Sequence, residues 1–354
     1  MDGFSDTRFK KTLTGCNYCD DFLNNTVSKT HINWTLDTLI EKIKKEGKGK
    51  KYDCIVGVSG GVDSSYVLKL AKQKGLRPLA VHMDNGWNSN LAQKNIESLV
   101  NSLNVDLYTY VINWEEYRLL MKAFFHADVV DVELLYDNAM YGVNYMLARK
   151  HGIKHILGGM NVATEGLSIP YEWNWFKLDG LNIKSIAKKY GVKIKNFPVY
   201  TAQKYLRDSY LYGIKWHNPL DIIDEYNKEN VLNILENEHG YIRYKYKHYE
   251  SVFTRFYQGY ILPEKFKIDK RKVHLSNLIL TGQISKKEAL QTMQESPYDE
   301  EQFIKDRKFF LEKMNWDISE LNQYISRERS EHSDYRNSRK QYFALLGYYK
   351  RFFK

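Results

Sequence analysis

The sequence predicts an α/β protein: a doubly wound parallel sheet followed by a mainly helical C-terminal region. Three observations predict it. Short apolar runs of strand length alternate with helical periodicities between residues 50 and 215. The first of these runs opens directly into a loop of serines and glycines. From about residue 216 the strand runs stop, and aromatic and basic residues interleave at helical spacing. Strands alternating with helices imply parallel pairing with helices on both faces.

In chain order, residues 1–30 are polar around Cys16-Asn17-Tyr18-Cys19. A short amphipathic helix follows, with Trp34, Leu36, Leu39, Ile40 and Ile43 on its apolar side. It ends in the charged, glycine-broken stretch 44–51. Cys54-Ile55-Val56-Gly57-Val58 is the first strand, and Val67, Leu68, Leu70 and Ala71 mark its helix. Leu79-Ala80-Val81-His82-Met83 is the second strand, with Ile96, Leu99, Val100 and Leu103 on the next helix. Leu107-Tyr108-Thr109-Tyr110-Val111-Ile112 is the third. A long helical stretch from Leu134 to Lys150 precedes the fourth, His155-Ile156-Leu157-Gly158-Gly159. The expected organisation is an N-terminal extension over 1–50, a nucleotide domain over 51–215, and a helical basic and aromatic region over 216–354 for substrate and partner.

The chain has 354 residues, 43% hydrophobic and 27% charged, which excludes wholesale disorder. No apolar run approaches the roughly 18–20 residues of a membrane span. Met1-Asp2-Gly3-Phe4-Ser5-Asp6 has neither the basic nor the apolar part of a secretory signal, so a cytoplasmic protein without membrane insertion is expected. Lys and Arg exceed Asp and Glu by 53 to 43, a formal charge of +10. That excess reflects either an anionic partner or a composition rich in Lys, Asn, Tyr and Ile. Between Gly240 and His274 nine Lys/Arg face three Asp/Glu, a local +6, which points to a small anionic ligand more than to nucleic acid. Three cysteines, Cys16, Cys19 and Cys54, cannot make a disulfide framework.

The most informative segment is Ser59-Gly60-Gly61-Val62-Asp63-Ser64-Ser65, between the first strand and its helix. Two glycines let backbone N–H groups turn inward around an anion, and the three hydroxyls add donors. The helix beginning here aims its unsatisfied N–H groups at the same place. Asp63 would repel phosphates unless a cation intervened, which makes it the expected ligand of Mg²⁺ carried with ATP. No lysine stands where a Walker loop places one, so γ-phosphoryl transfer is disfavoured. This pattern resembles the PP-loop of ATP pyrophosphatases, which cradles pyrophosphate while the α-phosphorus is attacked. The resemblance implies adenine beside His82, Met83 and Asp84 after the second strand. Gly159 and Asn161, with Thr164-Glu165-Gly166, follow the fourth strand and face the same crevice.

The C-terminal block runs Tyr246-Lys247-His248-Tyr249-Glu250-Ser251, Thr254-Arg255-Phe256-Tyr257-Gln258-Gly259-Tyr260, Pro263-Glu264-Lys265-Phe266, Asp269-Lys270-Arg271 and His274-Leu275-Ser276. With the loop it resembles the N-acetyl sugar amidotransferases of bacterial surface-polysaccharide biosynthesis. The resemblance covers the chain from Cys16 to about Leu290. It implies that ATP activates an acetamido group on a sugar as its adenylate, and that ammonia then displaces AMP to leave an acetamidino group. It also implies a separate class I glutaminase and a cyclase-like protein that conducts ammonia; no cysteine after Cys54 could build a glutaminase site within the chain. A PP-loop tRNA-thiolating enzyme is the alternative, weakened by the same lack of a sulfur-carrying cysteine.

The expected catalytic groups are Asp63, His248, Glu250, Lys247 and Arg255. His248 beside Glu250 is the preferred acid–base pair, and Lys247, Arg255, Lys270 and Arg271 are candidate partners of a nucleotide-linked or acidic sugar. Phe253, Phe256 and Tyr260 read as a core stripe. The family's N-terminal zinc knuckle has two CxxC pairs, whereas only Cys16 and Cys19 are present here, with His31 a conceivable third ligand. Two thiolates do not close a structural zinc site, so no metal is assigned to them.

Overall fold

Five parallel strands form one sheet: β1 (Cys54–Gly57), β2 (Pro78–Asp84), β3 (Leu107–Val111), β4 (His155–Leu157) and β5 (Lys215–His217), in the order β3-β2-β1-β4-β5. The computed structural model describes residues 8–13, 15–26, 35–223, 226–244 and 249–352. The four strands expected from the sequence are present. The fifth is not among them, because Lys215-Trp216-His217 is a three-residue edge strand without an apolar run. The chain reverses its direction of winding at β1, so the switch point lies between β1 and β4, where open α/β sheets bind ligands.

Among the described residues α1 (Asn17–Asp21), continued by the π-helical turn Phe22–Thr26, and α2 (Leu36–Gly47) precede the sheet. The crossovers are α3 (Val62–Gln73), α4 (Asn90–Leu103), and the pair α5 (Trp114–His126) and α6 (Leu134–Lys150). Between β4 and β5 lie α7 (Val162–Glu165), α8 (Gly180–Lys189) and α9 (Ala202–Leu206), the last continued by a π-helical turn, Arg207–Leu211. After β5 come α10 (Lys228–His239), α11 (Val252–Phe256, continued by the π-helix Tyr257–Phe266) and α12 (Arg271–Leu280). They are followed by α13 (Lys286–Gln294), α14 (Glu300–Met314), α15 (Ile318–Ser326) and α16 (Arg339–Phe352).

Alternation along β1 shows why the sheet is covered on both sides. Ile55 points into one core with Leu79, Val81 and Ile156, and Cys54, Val56 and Val58 point into the other with Ala80 and Leu157. Local signals set the helix ends. Ser89 accepts from the Ala92 N–H to start α4, and Asn104 ends it in the left-handed conformation, φ 48°. Asn113 caps α5 in the same way, through the Glu116 N–H.

The stripe of Phe253, Phe256 and Tyr260 packs into the core, as its spacing predicts. Phe253 and Phe256 are buried, with Phe256 4.8 Å from Phe310, and Tyr260 is half-buried against Phe303. Trp87, in the loop after β2, is fully buried against Phe253 and Phe310. The loop that follows β2 is thereby plugged into the C-terminal helices. At the N-terminus Cys16 caps α1, with its Sγ 3.2 Å from that of Cys19, whose thiol is pushed up to about 11 by burial and by Cys16. No group of three or more His, Cys, Asp or Glu side chains that could hold a metal occurs among the described residues, and His31 lies outside them.

One buried histidine gives the fold a pH dependence. His332 donates through Nδ1 to Asn182 Oδ1 at 2.7 Å and stacks on Trp175. Burial, helped by the Lys177 charge, lowers it from 6.5 to about 3. The unfolded chain therefore takes up a proton below 6.5 that the folded protein refuses, and stability falls as pH drops from 6.5 towards 3. Urea unfolding is expected to show a loss of about 2 kcal/mol from this group between neutral pH and about pH 5. His332→Gln should flatten that slope; an unchanged slope would assign it to other groups.

Candidate active site

β1 ends at Gly57, and the chain turns through Val58-Ser59-Gly60-Gly61 into α3, capped by Gly61 with no side-chain hydrogen bond. The first N–H groups of α3 are therefore available to a ligand. Serines brace the turn: Ser64 Oγ and Ser65 Oγ donate to the Gly61 carbonyl at 3.1 and 2.8 Å, and Gly61 N–H donates to Ser59 Oγ at 3.2 Å. Gly60 has φ +82°, and a Cβ there would stand 2.8 Å from the Ala92 carbonyl oxygen, so only glycine fits. Gly159 comes from the β4 side. A Cβ on it would lie 2.7 Å from the Ser64 nitrogen, so its lack of a side chain lets the β4 loop close against the phosphate loop.

Two adjoining cavities open here. The first, about 370 Å³, is lined by Ser59, Gly61, Val62, Asp63, Ser64 and Gly159, with Met83 among its apolar walls. The second, about 530 Å³, lies between α6, the loop after α7, and α11–α12. Ser59, Glu165 and Glu250 line both, together with Tyr136, Met140, Tyr141 and Met160, so the cavities meet along this shared wall. Glu250 is delivered by a short antiparallel contact with the β2 loop: Ser89 N–H donates to the Glu250 carbonyl at 2.9 Å, and Val252 N–H to that of Trp87 at 2.8 Å. Its carboxylate faces the phosphate loop, since a Cβ on Gly61 would be 3.6 Å from Glu250 Oε1.

The second cavity has a polar wall. Glu133 accepts from Lys270 Nζ and Gln258 Nε2, each at 2.9 Å. Burial would raise this carboxyl, but Lys270 and Gln258 outweigh burial and hold it at about 2. Lys177 bridges Asp131 and Asp137 at 2.7 and 2.8 Å. Burial raises Asp137 above the usual carboxylate range despite that lysine.

Several expected site residues have other tasks. His82 is buried, with Nδ1 3.0 Å from the Val58 carbonyl and Nε2 3.1 Å from Asn88 Nδ2, so it ties β2 to the phosphate loop and does not line the nucleotide cavity. Asp84 accepts from Gly86 N–H and Asn88, shaping the loop around Gly86. Asn161 is buried and caps α7 by accepting from Thr164 N–H at 2.9 Å. Of His82, Met83 and Asp84, Met83 alone lines the first cavity. Lys247 and His248 lie outside the described residues.

The basic block corrects the charge expectation. Arg255 does not reach either cavity; its guanidinium pairs with Asp306, at 2.8 Å to Oδ1, and donates to the Tyr249 carbonyl at 3.3 Å. Arg271 is held by Asp269 and the Glu295 carbonyl, Lys265 by Asp128, and Arg243 by Glu229 and Glu236. Lys270 reaches the second cavity, but as the partner of Glu133. Buried cations need local counter-charges, so these five cations are held by partners within the fold instead of being gathered on a ligand, while Lys245 and Lys247 lie outside the described residues. Arg255→Met should cost about 3–5 kcal/mol in urea unfolding by stranding Asp306. Arg255→Met combined with Asp306→Leu should recover much of that. A double variant no more stable than the single one would refute the pairing as the cause.

Residues that sequence reading did not select also gather here. Lys228, at the start of α10, lines the first cavity opposite the phosphate loop. Tyr226 donates to Asp63 Oδ1. Tyr241 and Tyr244 donate to the Gly60 carbonyl at 3.1 and 3.0 Å. All four come from one segment more than 160 residues from the loop they serve, as the 163-residue separation of Tyr226 from Asp63 shows.

A parallel sheet whose switch point carries a Ser-Gly loop and an uncapped helix start defines a PP-loop, ATP pyrophosphatase-type nucleotide domain, and residues 31–151 match the family model described as NAD synthase. Residues 250–348 match a second model, described as the C-terminal domain of WbpG-like LPS biosynthesis proteins. The chain thus joins an NAD synthase-like PP-loop domain to a WbpG-like C-terminal domain. A curated relative, the uncharacterized protein MJ1599 of Methanocaldococcus jannaschii, is 40% identical over 73 residues, which are 20% of this chain and 26% of that protein. The chain therefore spans about a quarter of that relative's length. Similar solved structures include the NH3-dependent NAD synthetase of Campylobacter jejuni, at 16% identity and a TM-score of 0.31, covering 58% of this chain and 92% of that one. NMN synthetase from Francisella tularensis is 14% identical with a TM-score of 0.30, covering 58% of this chain and 94% of that one.

Proposed function

We propose that the protein is an ATP-dependent amidotransferase of surface-polysaccharide biosynthesis that converts an acetamido group on a sugar to an acetamidino group. The observation that carries this reading is the junction of a phosphate-loop cavity with a separate polar cavity at Ser59, Glu165 and Glu250. ATP lies in the first with its phosphates on the α3 amides, and the sugar lies in the second. The acetamido oxygen attacks the α-phosphorus, pyrophosphate leaves, and ammonia then displaces AMP from the activated carbon. The loop and Lys228 hold the departing pyrophosphate, and Glu250 takes the proton that the attacking ammonia must lose.

Asp63, in the first turn of α3, offers one hard carboxylate beside the phosphates, which suits Mg²⁺ bound otherwise by nucleotide and water. The ion would neutralise phosphate charge, and Asp63 is the residue placed to hold it. Ammonia comes from a separate class I glutaminase through a cyclase-like partner. Arg243, Arg255, Lys265, Lys270 and Arg271 are paired within the fold, so these five do not argue for an acidic sugar. Cys54 is fully buried in β1 with its thiol pushed up by burial, which removes it as a sulfur carrier.

Incubation with ATP, Mg²⁺, ammonium and diacetamido sugars tests the reading. Sugar-dependent release of AMP and pyrophosphate is expected, with a heavy-oxygen label in the acetyl carbonyl ending in AMP. Release that depends on tRNA instead, or label retained in the sugar, would overturn it.

A further inference from the structure

The geometry points to Tyr241 and Tyr244 as a paired lock that sets the phosphate loop for anion binding, a role that rests on the reading of that loop as the ATP phosphate site. Both hydroxyls donate to one acceptor, the Gly60 carbonyl. Gly60 sits at φ +82° with its Cα against the Ala92 backbone, so the loop is held in a conformation that few residues adopt. A peptide's C=O and N–H point in opposite directions across a planar unit. Fastening the Gly60 carbonyl to the segment 226–244 therefore turns the Gly61 N–H the other way, to where Ser59 Oγ holds it beside the cavity. Burial pushes both phenols above their ordinary value, so both keep their protons and act as donors.

Two donors on one oxygen make a specific signature. A carbonyl has two lone pairs, and here each is used. Removing one hydroxyl leaves the carbonyl satisfied by the other; removing both leaves a buried acceptor with no partner, and the loop is free to turn its peptide over. The two positions should therefore be strongly non-additive, as residues sharing one partner are. Both rings line the first cavity, but each hydroxyl is engaged by the Gly60 carbonyl, so what the hydroxyls do to the ligand is done through the loop's backbone, as positioning residues.

The test is binding of Mg·ATP, and separately of pyrophosphate, by calorimetry to Tyr241→Phe, Tyr244→Phe and the double variant. Each ring stays in place, so the packing of the two, with centroids 6.2 Å apart, is preserved. Each single change is expected to weaken binding by less than about threefold, and the double change by roughly 10- to 100-fold. A double variant that melts earlier but binds as tightly as the natural protein would reduce the pair to a structural contact and overturn the lock. Additive single effects would also overturn it. If the natural protein itself binds neither ligand, the phosphate-site reading fails, and the lock with it.

Discussion

Asp63→Ala is expected to abolish AMP formation while far-ultraviolet circular dichroism and melting temperature stay close to those of the natural protein. Asp63 occupies the first turn of α3, one residue past the uncapped start where phosphates would sit. A carboxylate there stabilises the helix by only about 0.3–1 kcal/mol through the dipole, so its loss should not unfold the domain. Its electrostatic task is larger. Without a metal-holding carboxylate, negative charge on the transferring α-phosphoryl group is uncompensated, and losses on the order of 10²–10³-fold or more follow when such stabilisation is removed. Tyr226 keeps one oxygen of Asp63 in place by donating to Oδ1. Asp63→Asn retains much of that hydrogen bonding without the charge, and should be nearly as inactive as alanine with a raised Mg²⁺ requirement. Turnover unchanged in both variants would remove the metal role from Asp63.

That prediction rests on a part of the site that was legible in the sequence. Ser59 to Ser65 are contiguous, and the two glycines and the strand before them announce a tight turn, although the contacts that hold it, from Ala92, Tyr241 and Tyr244, come from elsewhere in the chain. β1, β2 and β4 were legible because buried strands need apolar runs, and β3, an edge strand of alternating exposure, because Leu, Tyr, Thr and Val favour a strand. β5 was not, since its residues, one exposed and two half-buried, owe their pairing to β4 and not to their own composition. His82, Asp84 and Asn161 show the opposite error. Polar residues after strand ends look like ligands, but a nearby carbonyl or N–H satisfies each of them, and such partners are invisible until the loop is folded. Arg255 and Lys265 illustrate the same point for charge. A local +6 counted along the chain says nothing about Asp306 or Asp128, which arrive from distant segments to pair with them. Lys228, Tyr226, Tyr241 and Tyr244 carry no motif, and contact across the fold is what makes them part of the site.

Glu250→Gln is expected to separate the two half-reactions. The carboxylate stands where the cavities meet, facing the phosphate loop from the C-terminal region, and its backbone is fixed by Ser89 and by the Arg255–Tyr249 contact. Its proposed work begins after the sugar adenylate forms, when ammonia attacks and must shed a proton. Glutamine fills the same space and keeps hydrogen bonding but cannot accept that proton. Amidine formation should therefore fall by roughly 10²–10⁴-fold, the usual range for a lost general base. Sugar-dependent exchange of labelled pyrophosphate into ATP, which needs only the first half-reaction, should survive within a few-fold. Asp63→Ala should lose both, so the pair of variants assigns each carboxylate to a step. Raising pH, which supplies more neutral ammonia, should partly restore the Glu250 variant and leave the Asp63 variant inactive. If pyrophosphate exchange collapses in Glu250→Gln as fully as amidine formation does, Glu250 serves ATP binding or metal placement, and the base must be sought elsewhere along the wall formed by Glu165, Asp137 and Glu133.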